Sequence, residues 1–385
     1  MPNFPATVES RLPAVGTTIF TVMSALAHEC GAINLSQGYP DFNADDELFE
    51  RVAHWMRAGA NQYAPMAGVP PLRRAIAAKI EALYAACYDV EHEITVTAGA
   101  TQALFTAITA LVRPGDEVVV FEPVYDSYVP AIALQGGVVR RARLRAPDYR
   151  PDWAEVAGLI GPRTRMIIVN TPHNPTATIW SGEDMDALAR LTDGSAIVVL
   201  ADEVYEHIVF DGVRHESVAR RPALARRSLV VSSFGKTYHV TGWKVGYVAG
   251  PRQLMEEFRK VHQFNVFTVN TPVQLALADY MGDASRHLGL SAFYQAKRDR
   301  FRAALAGSRF ELLPSRGTYF QLARYREIGD LPDREFVDRL TREVGVAAIP
   351  VSAFFEGGRD ERVIRFCFAK SEATLDEACA RLRAL

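Results

Sequence analysis

From about residue 94 onward, short apolar runs rich in β-branched residues alternate with longer stretches of helical periodicity: EITVTAG, DEVVVFEP, RMIIVNTP, SAIVVLADE and RSLVVSSFGK. Runs that are apolar on both faces, separated by helix-length segments, predict a mostly parallel sheet with helices on both faces. Each run stops at polar or small residues, in TAGATQ, EPVYDSY, NTPHNPT, DEVY and SSFGK. In open α/β sheets ligands bind outside the carboxyl ends of the strands, so these five endings are expected to converge on one crevice. Beyond about residue 275 the pattern changes to long amphipathic helices and then to the near alternation of TYFQL and RVIRFCFA. That change predicts a smaller α+β lobe, with which the first 40 or so residues are expected to pack.

With 385 residues, 49% of them hydrophobic, the chain can fill a substantial core in two lobes. Its 43 Lys and Arg against 45 Asp and Glu give a formal charge of -2, so no basic field exists to hold nucleic acid or an anionic membrane. No run approaches the roughly 18 apolar residues of a membrane span, and the start MPNFPATVESRLPAVG does not read as an export signal. Cys30, Cys87, Cys367 and Cys379 are dispersed without a C-x-x-C pair. That argues against a metal site or a disulfide framework and suits a reducing cytoplasm.

Within SSFGKTYHVTGWKVGY, residues 232–247, Lys236 follows an apolar strand and Lys244 stands eight positions on. GKT resembles the end of a phosphate-binding P-loop, but the glycine that motif requires falls at Val230. No G-x-G-x-x-G opens a helix after a strand either. Taken alone, Lys236 reads as an ordinary surface lysine. At the mouth of an apolar crevice, loss of solvation would instead favour its neutral amine and make it a Schiff-base nucleophile. Pyridoxal phosphate is the cofactor that uses such a lysine, and it needs a carboxylate for its ring nitrogen, donors for its phenolic oxygen and a phosphate cup. Asp202 in VVLADEVY could supply the carboxylate, although a helix N-cap is an equal reading of that residue. Tyr205 and Asn174 could donate to the phenolic oxygen, or be a core tyrosine and a turn asparagine. The backbone N–H groups of Ala100 and Thr101, at a helix start, could meet the phosphate together with Ser233 and Lys244. Tyr125 could stack on the ring or serve packing alone.

In these motifs, and in NLSQGYPDF, NQYAP and VIRFCFA, nearly the whole chain resembles the class I pyridoxal-phosphate aminotransferases of fold type I. Within them it is most similar to the bacterial methionine aminotransferases, followed by the kynurenine and glutamine transaminases. The resemblance implies a mostly parallel seven-stranded sheet in a large cofactor domain over residues 41–275, and a small domain from residues 1–40 and 276–385. It implies that Lys236 holds pyridoxal 5′-phosphate covalently and later shuttles a proton between the substrate Cα and the cofactor. It implies Asp202 at the ring nitrogen, Asn174 and Tyr205 at the phenolic oxygen, and Ser233, Lys244 and the amides of residues 100 and 101 at the phosphate. Arg365 would grip the substrate α-carboxylate with its planar fork, assisted by Asn174 and the Gly38 backbone. Tyr63 would reach the phosphate of a partner subunit, which implies a homodimer with shared sites. Lys244 stands where many relatives have arginine, and Ala177 in NPTAT where many have glycine; both recur in the methionine and kynurenine branch. Cis bonds are expected at Glu122–Pro123 and Asn174–Pro175.

Relatives acting on acidic substrates take a second arginine from the segment corresponding to QFNVFTVNTP, which here has no basic residue. With Phe20 and Phe267 as expected pocket walls, the side-chain site should favour apolar, sulfur-containing or aromatic groups. The expected activity is ping-pong transfer of the amino group of a methionine-like L-amino acid to a 2-oxo acid. Kynurenine transamination, or β-lyase cleavage of the C–S bond of cysteine conjugates, are alternatives on the same scaffold. A regulator of this fold would carry a DNA-binding domain, and only about 30 residues precede NLSQGYPDF.

Overall fold

The computed structural model describes residues 6–385. The five predicted runs form β1 (Ile94–Thr97), β2 (Glu117–Glu122), β4 (Thr164–Asn170), β5 (Val198–Asp202) and β6 (Ser228–Ser233), joined by β3 (Val138–Arg143) and β7 (Gly246–Ala249). The seven lie in the order β1-β7-β6-β5-β4-β2-β3. All run parallel except β7, which is antiparallel to both β1 and β6. The pattern missed β3 because its sequence VVRRAR lacks an apolar run. As an edge strand it pairs with β2 alone, and Arg140 and Arg141 lie 3.4 and 3.5 Å from Glu117 and Glu122.

The central strands are buried on both faces, as their apolar runs require. On one face the helix Gly99–Leu111 lays Ala103, Leu104, Ala107, Ile108 and Leu111 against Val118, Val120, Ile168, Leu200 and Val231. On the other, Trp180, Met185 and Leu188 pack with Val119, Ile167 and Val199 in a cluster that continues into the C-terminal part of the chain.

That C-terminal part contains a four-stranded antiparallel sheet in which Phe320–Arg324 and Val363–Cys367 are the inner pair. TYFQL and RVIRFCFA therefore both enter strands. The N-terminal segment joins this region, where Ile33–Asn34 pairs in parallel with Val346–Ala347. The expected boundary at residues 275 and 276 falls inside the helix Thr271–Tyr280, whose Val273, Ala276, Leu277 and Tyr280 pack with Leu72 and Ile76. The Glu122–Pro123 and Asn174–Pro175 bonds are cis, as are Ala146–Pro147 and Thr171–Pro172. No helix among the described residues is long and apolar enough to cross a membrane.

Candidate active site

Asn170, Asp202 and Ser233 are the last residues of β4, β5 and β6, so neighbouring parallel strands deliver them to one edge of the sheet. There they line a cavity of about 220 Å³ with Lys236, Lys244, Asn174, Tyr205, Tyr125, Ala100, Thr101, Gly38, Phe20 and Arg365. Twelve of the fourteen residues singled out from the sequence thus share one wall system. Tyr63 and Phe267 do not.

Lys236 lies on the short helical turn Phe234–Thr237 directly after β6. Its Nζ donates to the Gly38 carbonyl at 3.0 Å and to the Tyr319 hydroxyl at 2.8 Å. Burial lowers this amine to about 8, so a fraction of it is neutral near physiological pH. Asp202 is 4% exposed, and no helix follows it, which removes the N-cap reading. Its carboxylate accepts from the Tyr128 hydroxyl at 2.5 Å and from the Val204 N–H at 3.4 Å. Burial still raises its pKa to about 6, against the opposing pull of the Tyr128 hydrogen bond and the charge of Lys236.

The helix Gly99–Leu111 starts at this cavity without a side-chain cap, turning its first N–H groups toward it. Lys244, in left-handed backbone at φ 55°, stands beside this start: a Cβ on Gly99 would lie 3.4 Å from Lys244 Nζ. Tyr125 is pushed up to about 12 by burial and stays a neutral ring.

Arg365, on an inner strand of the small sheet, is 1% exposed rather than solvent-facing. Its guanidinium donates to Asn174 Oδ1 at 2.5 Å and to the Ser36 carbonyl at 3.1 Å, while its Nε has no partner. No carboxylate pairs with it among the described ion pairs. The guanidinium lies 3.9 Å from the Phe320 ring centroid and 5.3 Å from that of Phe20. Gly38 completes this end, since a Cβ there would come within 2.9 Å of Phe320. A buried guanidinium with no ion-pair partner and an unpartnered Nε suits a carboxylate ligand.

Phe267, expected as a pocket wall, is 50% exposed and does not line its own chain's cavity. It follows the end of the helix Arg252–Asn265 at φ 68°, and its ring meets that of Tyr63, itself 82% exposed, at 5.4 Å. The end of the helix turns the Phe267 ring outward, where it meets Tyr63. The sequence reading missed Asn170, whose Oδ1 accepts from the Asn174 N–H at 2.8 Å, and Tyr128 and Tyr319. Only Tyr128 carried a signal, as the second tyrosine of FEPVYDSY.

The family described as aminotransferase class I and II matches residues 31–382. Methionine aminotransferase of Escherichia coli (strain K12) is 55% identical over 386 residues, covering 100% of both chains. A crystal structure from Escherichia coli, reported with a methionine aminotransferase function, superposes at a TM-score of 0.97 with 55% identity, covering 99% of this chain and 100% of that one. A probable N-succinyldiaminopimelate aminotransferase of Mycobacterium tuberculosis is 39% identical over 98% of each. Kynurenine–oxoglutarate transaminase 1 of Rattus norvegicus is 34% identical over 97% of this chain and 96% of its own.

Proposed function

The chain belongs to the class I and II aminotransferase family, and from that premise we propose that it moves the amino group of a methionine-like L-amino acid to a 2-oxo acid. It is an aminotransferase of fold type I, and the family in general uses pyridoxal 5′-phosphate. The reading is carried by one observation: buried Arg365, with its Nε unpartnered, faces the same cavity as the Lys236 amine and the Asp202 carboxylate.

The residues fit pyridoxal phosphate. Asp202 is a buried carboxylate in no ion pair, the helix start at Gly99 offers uncapped N–H groups, and Lys236 is an amine kept partly neutral. When bound, the cofactor supplies an electron sink for the carbon that loses its proton. Lys236 would hold the cofactor covalently through Nζ, and its free amine would take the proton from the substrate Cα. Asp202 would keep the ring nitrogen protonated, and Asn174 and Tyr205 would donate to the phenolic oxygen. Ala100, Thr101, Ser233 and Lys244 would hold the phosphate, with Tyr125 against the ring. Arg365 fixes the α-carboxylate beside Gly38 and so aims the Cα–H bond at the lysine.

Among the cavity-lining residues the only cations are Lys236, Lys244 and Arg365, and Phe20, Phe320 and Leu104 supply apolar surface. A distal carboxylate finds no second arginine there, which favours methionine-like donors. Tyr63 and Phe267 are proposed to act across a homodimer, in a cytoplasmic enzyme.

Protein loaded with cofactor should lose its yellow colour on addition of L-methionine and regain it with a 2-oxo acid, releasing a new amino acid. A panel of methionine, phenylalanine, kynurenine, glutamate and N-succinyldiaminopimelate ranks the donors. Failure of every donor would overturn the activity, and preference for either acidic donor would overturn the substrate class.

A further inference from the structure

Tyr319 does not line the cavity, yet its hydroxyl is at hydrogen-bond distance from the reacting amine. It accepts from Lys236 Nζ at 2.8 Å and donates its own proton to the Gly38 carbonyl, which also accepts from Nζ at 3.0 Å. Three separate parts of the chain therefore close a triangle around one nitrogen: the turn after β6, the N-terminal segment and the start of an inner strand of the small sheet. Because the phenol donates to Gly38, it turns its lone pairs toward Lys236. The ring is fully buried and set edge-on to Tyr205 at 5.2 Å, so the hydroxyl cannot wander.

We propose that the Tyr319 hydroxyl and the Gly38 carbonyl form the docking point of the Lys236 amine whenever it is not covalently engaged, making Tyr319 a catalytic residue of the half-reaction. This rests on the transaminase reading above. In that reaction the proton of the substrate Cα–H bond joins the Nζ lone pair while the bonding electrons stay with carbon. Nζ would then pass the same proton to a carbon of the bound cofactor, and the amine would return to its neutral form. Between these events the nitrogen has to stay within reach of both carbons. Two fixed acceptors hold two of its positions and leave the remaining one toward the cavity. Burial keeps the Tyr319 phenol protonated well above its ordinary range, so it orients the amine and takes no proton from it.

The neighbouring Tyr294 supplies an internal control. Its ring is 5.6 Å from that of Tyr319 and it is as deeply buried, but its hydroxyl has no partner. Tyr319→Phe and Tyr294→Phe thus remove the same atom from adjacent buried rings and leave both rings in place. In cofactor-free protein, the pH dependence of Lys236 acylation by acetic anhydride, followed by peptide mass spectrometry, reads the amine directly. An accepting hydroxyl stabilises the ammonium more than the amine, so Tyr319→Phe is expected to lower this titration by about one pH unit, and Tyr294→Phe to leave it in place. In loaded protein, Tyr319→Phe should slow the methionine half-reaction about tenfold at unchanged KM. The isotope effect with Cα-deuterated methionine should rise.

The proposal is overturned if Tyr319→Phe matches the wild type in titration and isotope effect, or if both variants shift alike, which would make the effect one of packing. A wild type that performs no half-reaction would refute the transaminase reading instead, while the acylation titration would still judge the docking point.

Discussion

Asp202 has a consequence for stability that is separable from its role toward the cofactor. Its carboxyl holds a proton up to about 6 in the folded cofactor-free chain, because burial outweighs the Tyr128 hydrogen bond and the charge of Lys236. The unfolded chain releases that proton near the ordinary aspartate value of 3.8. Between these values the native state binds more protons, so this group's contribution is fully present below the unfolded value and is lost as pH rises through about 6. Asp202→Asn, nearly isosteric and neutral, should therefore make cofactor-free protein more stable than wild type at pH 8 by up to about 3 kcal/mol in urea unfolding. The gain should shrink as pH falls toward 5, and cofactor affinity should drop. A gain independent of pH would show that ionisation of Asp202 is not its source. Arg365 leads to a different expectation. Arg365→Lys keeps the charge and removes the fork, so KM for the amino donor should rise roughly 10- to 100-fold, with the visible spectrum of bound cofactor unchanged. An unchanged KM would remove Arg365 from carboxylate binding. At this scale part of the site was legible in the sequence: Asp202 ends an apolar run and Lys236 follows one, whereas Arg365 was marked only through the family resemblance of VIRFCFA. Tyr128 and Tyr319 were not, because a tyrosine's partner is decided by which distant backbone passes its hydroxyl.

The helix Gly99–Leu111 and β7 are matched to each other by one missing side chain. A Cβ on Gly246 would lie 2.6 Å from the Ser232 carbonyl and 3.2 Å from the Ala100 nitrogen, so the glycine lets the helix start rest against the sheet edge beside Ser233. Gly246→Ala should destabilise the fold by about 1–3 kcal/mol through overpacking. It should also weaken pyridoxal phosphate much more than unphosphorylated pyridoxal, measured by equilibrium titration, because the displaced N–H groups serve the phosphate. Equal losses for the two ligands would mean that the helix start does not hold the phosphate. β2, β4, β5 and β6, each flanked by two neighbours, were readable as apolar runs, as was the fully buried edge strand β1, since two buried faces leave no room for polar residues; the four residues GYVA of β7 were too short to stand out. β3 was not, because an edge strand with one covered face can carry Arg140, Arg141 and Arg143 and draw its order from pairing with β2.

At the scale of the whole molecule, the cavity is closed by three regions that no local pattern relates: the large sheet's strand ends, the small sheet through Arg365, and the N-terminal segment through Phe20 and Gly38. What a single chain leaves open is the aromatic group of Tyr63, Phe264 and Phe267, which are 82%, 87% and 50% exposed. The sequence marked Phe267 as an aromatic near the site but could not say whose site, because the turn after Asn265 decides which way the ring faces. In the proposed homodimer these rings would be covered by the second copy, with Tyr63 reaching the partner's phosphate. Co-expressing Lys236→Ala with Tyr63→Ala tests that geometry. A hybrid dimer has one site carrying both defects and one carrying neither, so the mixture should recover up to about a quarter of wild-type activity, well above the sum of the two parents. If each chain instead completed its own site, every site in the hybrid would keep one defect. The mixture would then equal the mean of its parents, and Tyr63 would return to being an exposed residue of its own surface.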